Sequence, residues 1–169
     1  VSASRIETPG IERRLIVMAH DLSESDRLEA ALALSEQRFR ALADNMAQFA
    51  WMAYPSGYTF WHNQRWLDYT GISAVEATGN GWQQVIHPDY VDRVVSELAL
   101  ALEKGDPWQD TYPIRGADGE YRWFLSSAMP LRNEQGAVVL WCGTDTDITE
   151  QRRTSLRLMT KQRVIELSH

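Results

Sequence analysis

Residues 108–147 read WQDTYPIRGADGEYRWFLSSAMPLRNEQGAVVLWCGTDTD. Three runs rich in aromatic and β-branched residues are interrupted by Asp118-Gly119 and by the segment 133–136, which are typical turn sequences. Short turns of this kind join neighbouring antiparallel strands, so the stretch predicts a three-stranded meander. The predicted strands are 108–115, 121–131 and 137–144.

The last of these strands is apolar on both of its alternating faces over residues 138–142. A strand with one solvent-exposed face would alternate apolar and polar residues. We therefore expect the outer face of the sheet to be covered, either by the N-terminal helix or by a second protomer. Pro113 removes a ladder donor from the first strand, so a bulge or an unpaired segment is expected there.

A hairpin and two helices are predicted before the meander. The apolar runs 49–54 and 58–62 surround a Pro-Ser-Gly turn and predict the hairpin. Asn63 is suited to cap a short helix that ends at Gly71, and a loop rich in small residues follows. Residues 88–103 have Val and Leu at helical spacing, with proline in the first turn.

Two strands, a helical middle and three strands predict an α+β fold. We expect one five-stranded antiparallel sheet, with the two groups of strands joined side by side and the helices gathered on one side. Linker helices are expected at both ends of this core.

The helix predicted over residues 24–46 has apolar residues at alternating steps of four and three, the seam of a heptad repeat. This seam either packs on its own domain or pairs with a second copy in a parallel coiled coil. At the other end, residues 149–169 continue as a polar helix. The seam residues are Leu28, Leu32, Ser35, Phe39 and Leu42.

Composition argues against several classes of protein. The formal charge of −6 disfavours a nucleic-acid surface, which needs clustered Lys and Arg. No apolar run approaches the roughly 20 residues of a membrane helix, so no membrane contact is expected. Cys142 is the only cysteine, which excludes an internal disulfide and fits a reducing, cytoplasmic location.

From residue 36 to residue 152 the order of elements and motifs resembles a PAS domain of the Trp-rich subclass, with the second half often called PAC. The resemblance implies the PAS fold and a sensory or signal-relay function, typical of bacterial sensor histidine kinases. Each motif is weak alone, whereas the ordered set is specific. The matching runs are WLDYTG at 66–71, GW at 81–82, VIHPD at 85–89, ADGEYRW at 117–123 and GTDTDITE at 143–150.

A motif that occurs twice in the chain suggests tandem sensor domains. Residues 19–27 resemble residues 146–153, and residues 14–18 read as a last strand before the first copy. Residues 1–23 would then be the tail of a preceding PAS-like domain; the alternative is a chance match. The predicted divisions are 1–23 (domain tail), 24–46 (linker helix), 47–147 (PAS core) and 148–169 (signalling helix leading to an output domain).

The transition from the last strand to the C-terminal helix is the predicted site of signal transmission. Asp147 can cap the helix while Glu150 reaches back to it, as in a capping box. The resemblance implies that this junction, with Thr149, passes strain from the sheet into the helix. It also makes Arg122 the candidate basic partner of Asp147; the alternative is a plain N-cap.

The pocket of a PAS domain lies between the sheet and the helices. The candidate lining residues are Trp51, Trp66, Trp82 and Trp123, whose bulk favours a filled aromatic core over an open pocket. Photochemistry with flavin is disfavoured because Cys142 is on the last strand and not on the helical segment. Haem is disfavoured because His87 lies in a His-Pro-Asp helix start, so no cofactor is expected.

No catalytic pair, phosphate loop or metal spacing is found in the sequence. The four histidines are scattered, so no metal site is expected, and the chain itself is predicted not to be an enzyme.

The terminal residues Glu166-Leu167-Ser168-His169 resemble the start of a histidine-kinase phosphoacceptor box, which makes His169 a candidate phosphoacceptor. The expected partners are a second copy, bound through the flanking helices and the outer sheet face, adjacent domains of the same chain, and a response regulator. The alternative is a dimerisation module that relays to another output, such as a diguanylate cyclase.

Overall fold

A computed structural model gives the structure of the protein and describes residues 9–167. Its strands are β1 (Phe49–Ala53), β2 (Thr59–His62), β3 (Trp108–Arg115), β4 (Tyr121–Arg132) and β5 (Val138–Asp147). Its helices are α1 (Pro9–Asn45), α2 (Gln64–Thr70), α3 (Ala74–Ala77), α4 (Pro88–Lys104) and α5 (Thr149–Leu167), and a 3₁₀ helix covers Gly81–Val85. Two units are formed, one up to Leu42 and one from Ala43 onward.

The first unit contains α1 up to Leu42, and this helix begins at Pro9 and therefore starts earlier than predicted. The predicted strand at residues 14–18 is wrong, because these residues lie inside the helix. A helix satisfies its backbone hydrogen bonds within itself, whereas a strand needs a neighbouring strand as partner. Residues 1–8 of the predicted domain tail lie outside the described residues.

The second unit contains one antiparallel sheet with the strand order β2-β1-β5-β4-β3. The α+β prediction is confirmed, including both hairpins and the side-by-side joining of the two strand groups through β1 and β5. Strand β5 continues to Asp147, past the predicted end at residue 144, because Asp145 pairs with both Phe49 and Ser126.

The bulge predicted at Pro113 is wrong. Pro113 pairs with Trp123 in unbroken register, and β3 is the edge strand of the sheet. At an edge, the missing proline N–H faces away from the ladder and breaks no strand pairing. The Pro113 carbonyl on that side accepts a hydrogen bond of 3.1 Å from the backbone N–H of His87.

Asn63 is the N-cap of α2, as predicted, and it also ties the start of the domain together. Its side-chain oxygen accepts hydrogen bonds from the backbone N–H groups of Trp66 and Ala50. Its amide nitrogen donates to the carbonyls of Ala43 and Gln48. The side chain is fully buried, so this one residue fixes where α2 begins relative to β1.

The segment predicted as a loop after Gly71 is largely helical. A capping box between Ser73 and Glu76 starts α3, and the 3₁₀ helix follows it. These short helices pack with α2 and α4 over one face of the sheet, and Val94, Phe124 and Trp141 are at the centre of the core.

Candidate ligand cavity and helix junction

A cavity of about 30 Å³ lies in the core between the sheet and the helices. Its walls come from β1, β2, β3, β5, α2, α4 and the 3₁₀ helix, so both the sheet and the helical layer contribute. The lining side chains that carry aromatic rings or charge include Trp51, Trp66, Trp82, Trp108, Tyr112 and Asp145.

Three of the four predicted pocket tryptophans line this cavity, and Trp123 does not. On β4, buried Phe124 faces the core, so the neighbouring Trp123 faces the outer side of the sheet. Trp108 takes the expected place of Trp123 in the wall. Its position at the start of a predicted strand was visible in the sequence, but the face it occupies depends on the register of β3.

Close packing places Trp51 against the backbone of Gly143, its pairing partner on β5. A Cβ atom at position 143 would collide with the indole ring. The glycine therefore makes room for one aromatic wall of the cavity.

Asp145 is the charged group of the cavity wall and is 3% exposed. Burial raises the pKa of its carboxyl to about 6, and the nearby Ser126 hydroxyl and Trp51 indole moderate the rise. Among the described residues, neither Asp145 Oδ1 nor Ser126 Oγ has a hydrogen-bond partner of normal geometry. Ser126 therefore acts on this carboxyl by its proximity and not through a formed hydrogen bond.

Other polar groups of the wall are uncharged at neutral pH. Burial lowers the pKa of His62 to about 4, and its ring stacks on Trp66 with centroids 4.0 Å apart. Within the described part of the chain, the indole N–H groups of Trp82 and Trp108 have no acceptor. The cavity thus combines free donors with one free carboxylate oxygen.

The cavity does not fit a flavin or haem ring in this structure. About 30 Å³ holds about two water molecules. Cys142 pairs with Met52 and Met129, and its side chain faces away from the cavity because its neighbours Trp141 and Gly143 face the core. The Nδ1 atom of His87 accepts a hydrogen bond from the N–H of Asp89 at the start of α4.

At the junction of β5 and α5, backbone pairing with β4 continues past the end of the strand. Ile148 N–H donates to the carbonyl of Trp123 (2.8 Å), and Trp123 N–H donates to Thr149 Oγ1 (2.9 Å). The guanidinium of Arg152 lies 3.8 Å from the centre of the Trp123 ring. These contacts fix the first turn of α5 to the outer face of the sheet.

Asp147 Oδ1 accepts a hydrogen bond of 2.9 Å from Thr149 N–H, so it satisfies one free amide at the start of α5 from the position before the N-cap residue Ile148. The predicted capping box is not formed, because Glu150 pairs with Arg153 at 2.6 Å. Arg122 pairs with Asp118 at 3.1 Å and not with Asp147.

The structure thus places Asp147, Thr149 and Trp123 together at the junction. Arg122 of β4 borders the same pocket as Asp147 and Thr149, but its ion pair is with Asp118 of the β3–β4 turn. His169 lies outside the described residues. Over residues 9–167, no group of three or more His, Cys, Asp or Glu is placed to hold a metal ion. The helices described are all too short or too polar to span a membrane.

A family model described as the PAS fold matches residues 59–145, more than half of the chain. The chain belongs to the PAS family. The match runs from β2 into β5, so it includes the helical layer and most of the sheet of this PAS domain.

Curated relatives of the PAS domain are much longer proteins. An uncharacterized protein of Sinorhizobium fredii, y4lL, is 35% identical over 142 residues, which is 84% of this chain and 17% of that protein. The peroxide stress-activated histidine kinase mak1 of Schizosaccharomyces pombe is 28% identical over 153 residues, 82% of this chain and 9% of that kinase. The chain therefore spans less than a fifth of either relative.

Solved structures share the PAS fold at low identity. A PAS domain from Colwellia psychrerythraea has a TM-score of 0.56 at 23% identity, covering 69% of this chain and 98% of that one. The N-terminal domain of a diguanylate cyclase with PAS/PAC sensor from Marinobacter aquaeolei gives 0.56 at 19% identity, with coverages of 62% and 98%. An RNA-binding light-oxygen-voltage receptor gives 0.61 at 21% identity, with coverages of 78% and 38%.

Proposed function

We propose that this PAS domain is a sensory or relay module of a multidomain bacterial signalling protein, whose output is a histidine kinase of a two-component system. Relatives named as histidine kinases support the class of output. The observation that carries the sensory role is the continuity of β5, which forms the cavity wall and then leads into α5.

The proposed signal runs along β5. Asp145 in the cavity wall and Asp147 at the junction are two residues apart on the same strand, a distance of about 7 Å. A change at Asp145 that shifts β5 would alter the cap that Asp147 gives to α5. It would also alter the hydrogen bond from Trp123 to Thr149, and α5 would then change its packing between two arrangements.

We also propose a homodimer formed through the flanking helices and the outer sheet face. The seam residues Leu28 and Leu32 of α1 are exposed, and so are Met129 and Leu131 on β4. Apolar side chains at heptad spacing are typical of helices that pair with a partner. The single cysteine fits a reducing compartment, so we place the domain in the cytoplasm.

A second candidate is a dimerisation module that relays to a different output. The similarity to the sensor domain of a diguanylate cyclase favours this alternative, since the same fold precedes a different catalytic domain there. The residues that follow His169 in the full-length protein would decide between a phosphoacceptor box and another domain. A sensor domain before α1 also stays a proposal, supported by the similarity of residues 19–27 to residues 146–153.

The test of the relay is Thr149→Val in the full-length protein, because valine keeps the shape of threonine and removes the acceptor for Trp123 N–H. We expect the variant to fold and to lose the difference in autophosphorylation between stimulated and unstimulated protein. Thr154→Val, at an exposed position of α5 five residues further along the chain, is the matched control. Wild-type regulation in Thr149→Val would rule out the junction as the route of the signal.

A further inference from the structure

We propose that the cavity recognises a small organic ammonium compound, whose N–H groups donate to Asp145 inside a ring of aromatic side chains. This inference rests on the proposed sensory function and names the chemical class of its ligand.

The first support is the charge of Asp145. Its carboxylate is 3% exposed and forms no ion pair among the described residues. A buried ionised carboxylate without an oppositely charged partner is strongly unfavourable, even with a neutral donor such as the Trp51 indole beside it, and a cation placed there removes much of that penalty.

No group among residues 9–167 supplies this cation. His62 is in the cavity wall but is neutral near pH 7, since burial lowers its pKa to about 4. Arg65 and Arg122 line a second pocket that Asp145 also borders, but neither forms an ion pair with Asp145, and Arg122 pairs with Asp118. The free oxygen Oδ1 is therefore available to a ligand that carries positive charge.

The second support is the aromatic wall. Four tryptophans and Tyr112 line a cavity with one carboxylate, and the faces of aromatic rings attract cations. Burial raises the pKa of Tyr112 well above its ordinary value, so its hydroxyl stays neutral. The wall thus favours an ammonium group without adding a second negative charge.

The third support comes from the unpaired indole groups, which define the rest of the ligand. Trp82 and Trp108 each need an acceptor, because their Nε1–H groups are buried without a partner in the described residues. A ligand that forms hydrogen bonds with the carboxylate and with the indole N–H groups has an ammonium with N–H donors and a nearby oxygen that accepts. A fully methylated ammonium has no N–H to donate to Asp145.

The size of the cavity limits the ligand further. A space of about 30 Å³ holds about two water molecules, so the ligand must be among the smallest organic ammonium compounds and must displace that water. Ethanolamine, a small amino alcohol with four non-hydrogen atoms, carries both required groups and is larger than two water molecules, so the side chains of the wall must shift to admit it. Two ordered water molecules could occupy the same space, but they would leave the carboxylate without a counter-charge.

The experiment is calorimetric titration of the 169-residue chain at pH 7.5 in phosphate buffer with ethanolammonium chloride. Ethylene glycol, which has nearly the same shape but no charge, and sodium chloride at equal ionic strength are the matched controls. We expect saturable binding of ethanolammonium alone. Asp145→Asn should weaken it by more than about tenfold, because the amide has no charge to offer.

Trp108→Phe keeps an aromatic wall and removes one indole donor, so it should weaken binding less than Asp145→Asn. Binding of ethylene glycol as tight as that of ethanolammonium, or equal binding to Asp145→Asn, would overturn the proposal. So would the absence of saturable binding by ethanolammonium, which would indicate a cavity filled by water. The relay tested with Thr149→Val does not depend on these outcomes, because its signal can also come from a neighbouring domain.

Discussion

Replacing Asp145 with Asn should stabilise the domain at neutral pH, although it changes a buried residue of the core. The folded state raises the pKa of this carboxyl from 3.8 to about 6. Each pKa unit corresponds to about 1.4 kcal/mol, so the shift of about 2 units amounts to about 3 kcal/mol. Because the group is 3% exposed, solvent screening does not reduce this value much.

Whether this carboxyl raises or lowers stability at a given pH follows from proton binding in the folded and unfolded states. A raised folded-state pKa means that the folded protein holds the Asp145 proton between pH 4 and pH 6, where the unfolded chain has lost it. The contribution to stability is therefore complete below about pH 4 and is lost as the pH rises to 6. Above pH 6 the buried charge lowers the free energy of unfolding by the full amount, and the neutral amide of the Asp145→Asn variant would not carry that charge.

The shifted pKa of His62 changes the stability of the domain with pH in the opposite direction. Its pKa is lowered from 6.5 to about 4 in the folded state, so its contribution is present above pH 6.5 and is lost as the pH falls toward 4. In the wild-type protein the two effects offset each other between pH 4 and pH 6. In Asp145→Asn only the His62 effect remains, so the stability of this variant should fall more steeply with acid.

The assay is urea unfolding at half-unit steps from pH 4 to pH 8, in amine-free acetate and phosphate buffers. We expect the difference between variant and wild type to grow from near zero at pH 4 to as much as about 3 kcal/mol above pH 6. Asp106→Asn, at an exposed position, should stay within about 0.5 kcal/mol throughout. A difference that does not change with pH would refute the assignment of Asp145 as a buried carboxyl without an ion-pair partner.

Three further substitutions test the packing that positions the cavity and the junction. Asn63→Ala removes a buried group with four hydrogen bonds and should lower the free energy of unfolding by about 2–4 kcal/mol in urea titrations. Gly143→Ala forces Trp51 out of its place and should lower it by about 1–3 kcal/mol, with a change in tryptophan fluorescence. Arg152→Ala removes the cation from the Trp123 ring and should lower it by about 0.5–1 kcal/mol.

Matched controls separate these effects from general damage. Asn133→Ala acts in an exposed turn, and Arg153→Ala breaks an exposed ion pair, so each should change stability by less than about 1 kcal/mol. If Asn63→Ala were no more destabilising than Asn133→Ala, the buried hydrogen bonds would not fix the start of α2. If Arg152→Ala matched Arg153→Ala, the stacking on Trp123 would contribute nothing measurable.

Much of the fold could be predicted because its signals are local. Turn sequences around Asp118-Gly119 and the apolar runs beside them marked the bounds of β3 without error. Asn63 and Gly71 marked the ends of α2, since capping depends on neighbouring backbone groups. The prediction of a strand at residues 14–18 was wrong because it used only such a local signal. A short apolar run can be a helix or a strand until its packing partners are known.

Only part of the candidate site could be predicted from the sequence. Tryptophans were expected around a pocket, but the exchange of Trp123 for Trp108 depended on which side of each strand faces the helices. Asp145 was not singled out at all, since a carboxylate in a Thr-Asp-Thr-Asp run looks solvent-exposed. Its burial follows from the extension of β5 between β1 and β4, which no local pattern indicates.

The amino-acid sequence by itself determined the succession of strands and helices along the chain, because turn residues, caps and apolar spacing act over a few neighbours. It also determined the PAS family. Only the tertiary structure decided which side chains meet. The burial of Asp145 among aromatic rings and the link from Trp123 to Thr149 both depend on long-range strand pairing. That pairing joins residues far apart in the chain, and the free energy of the whole sheet selects it.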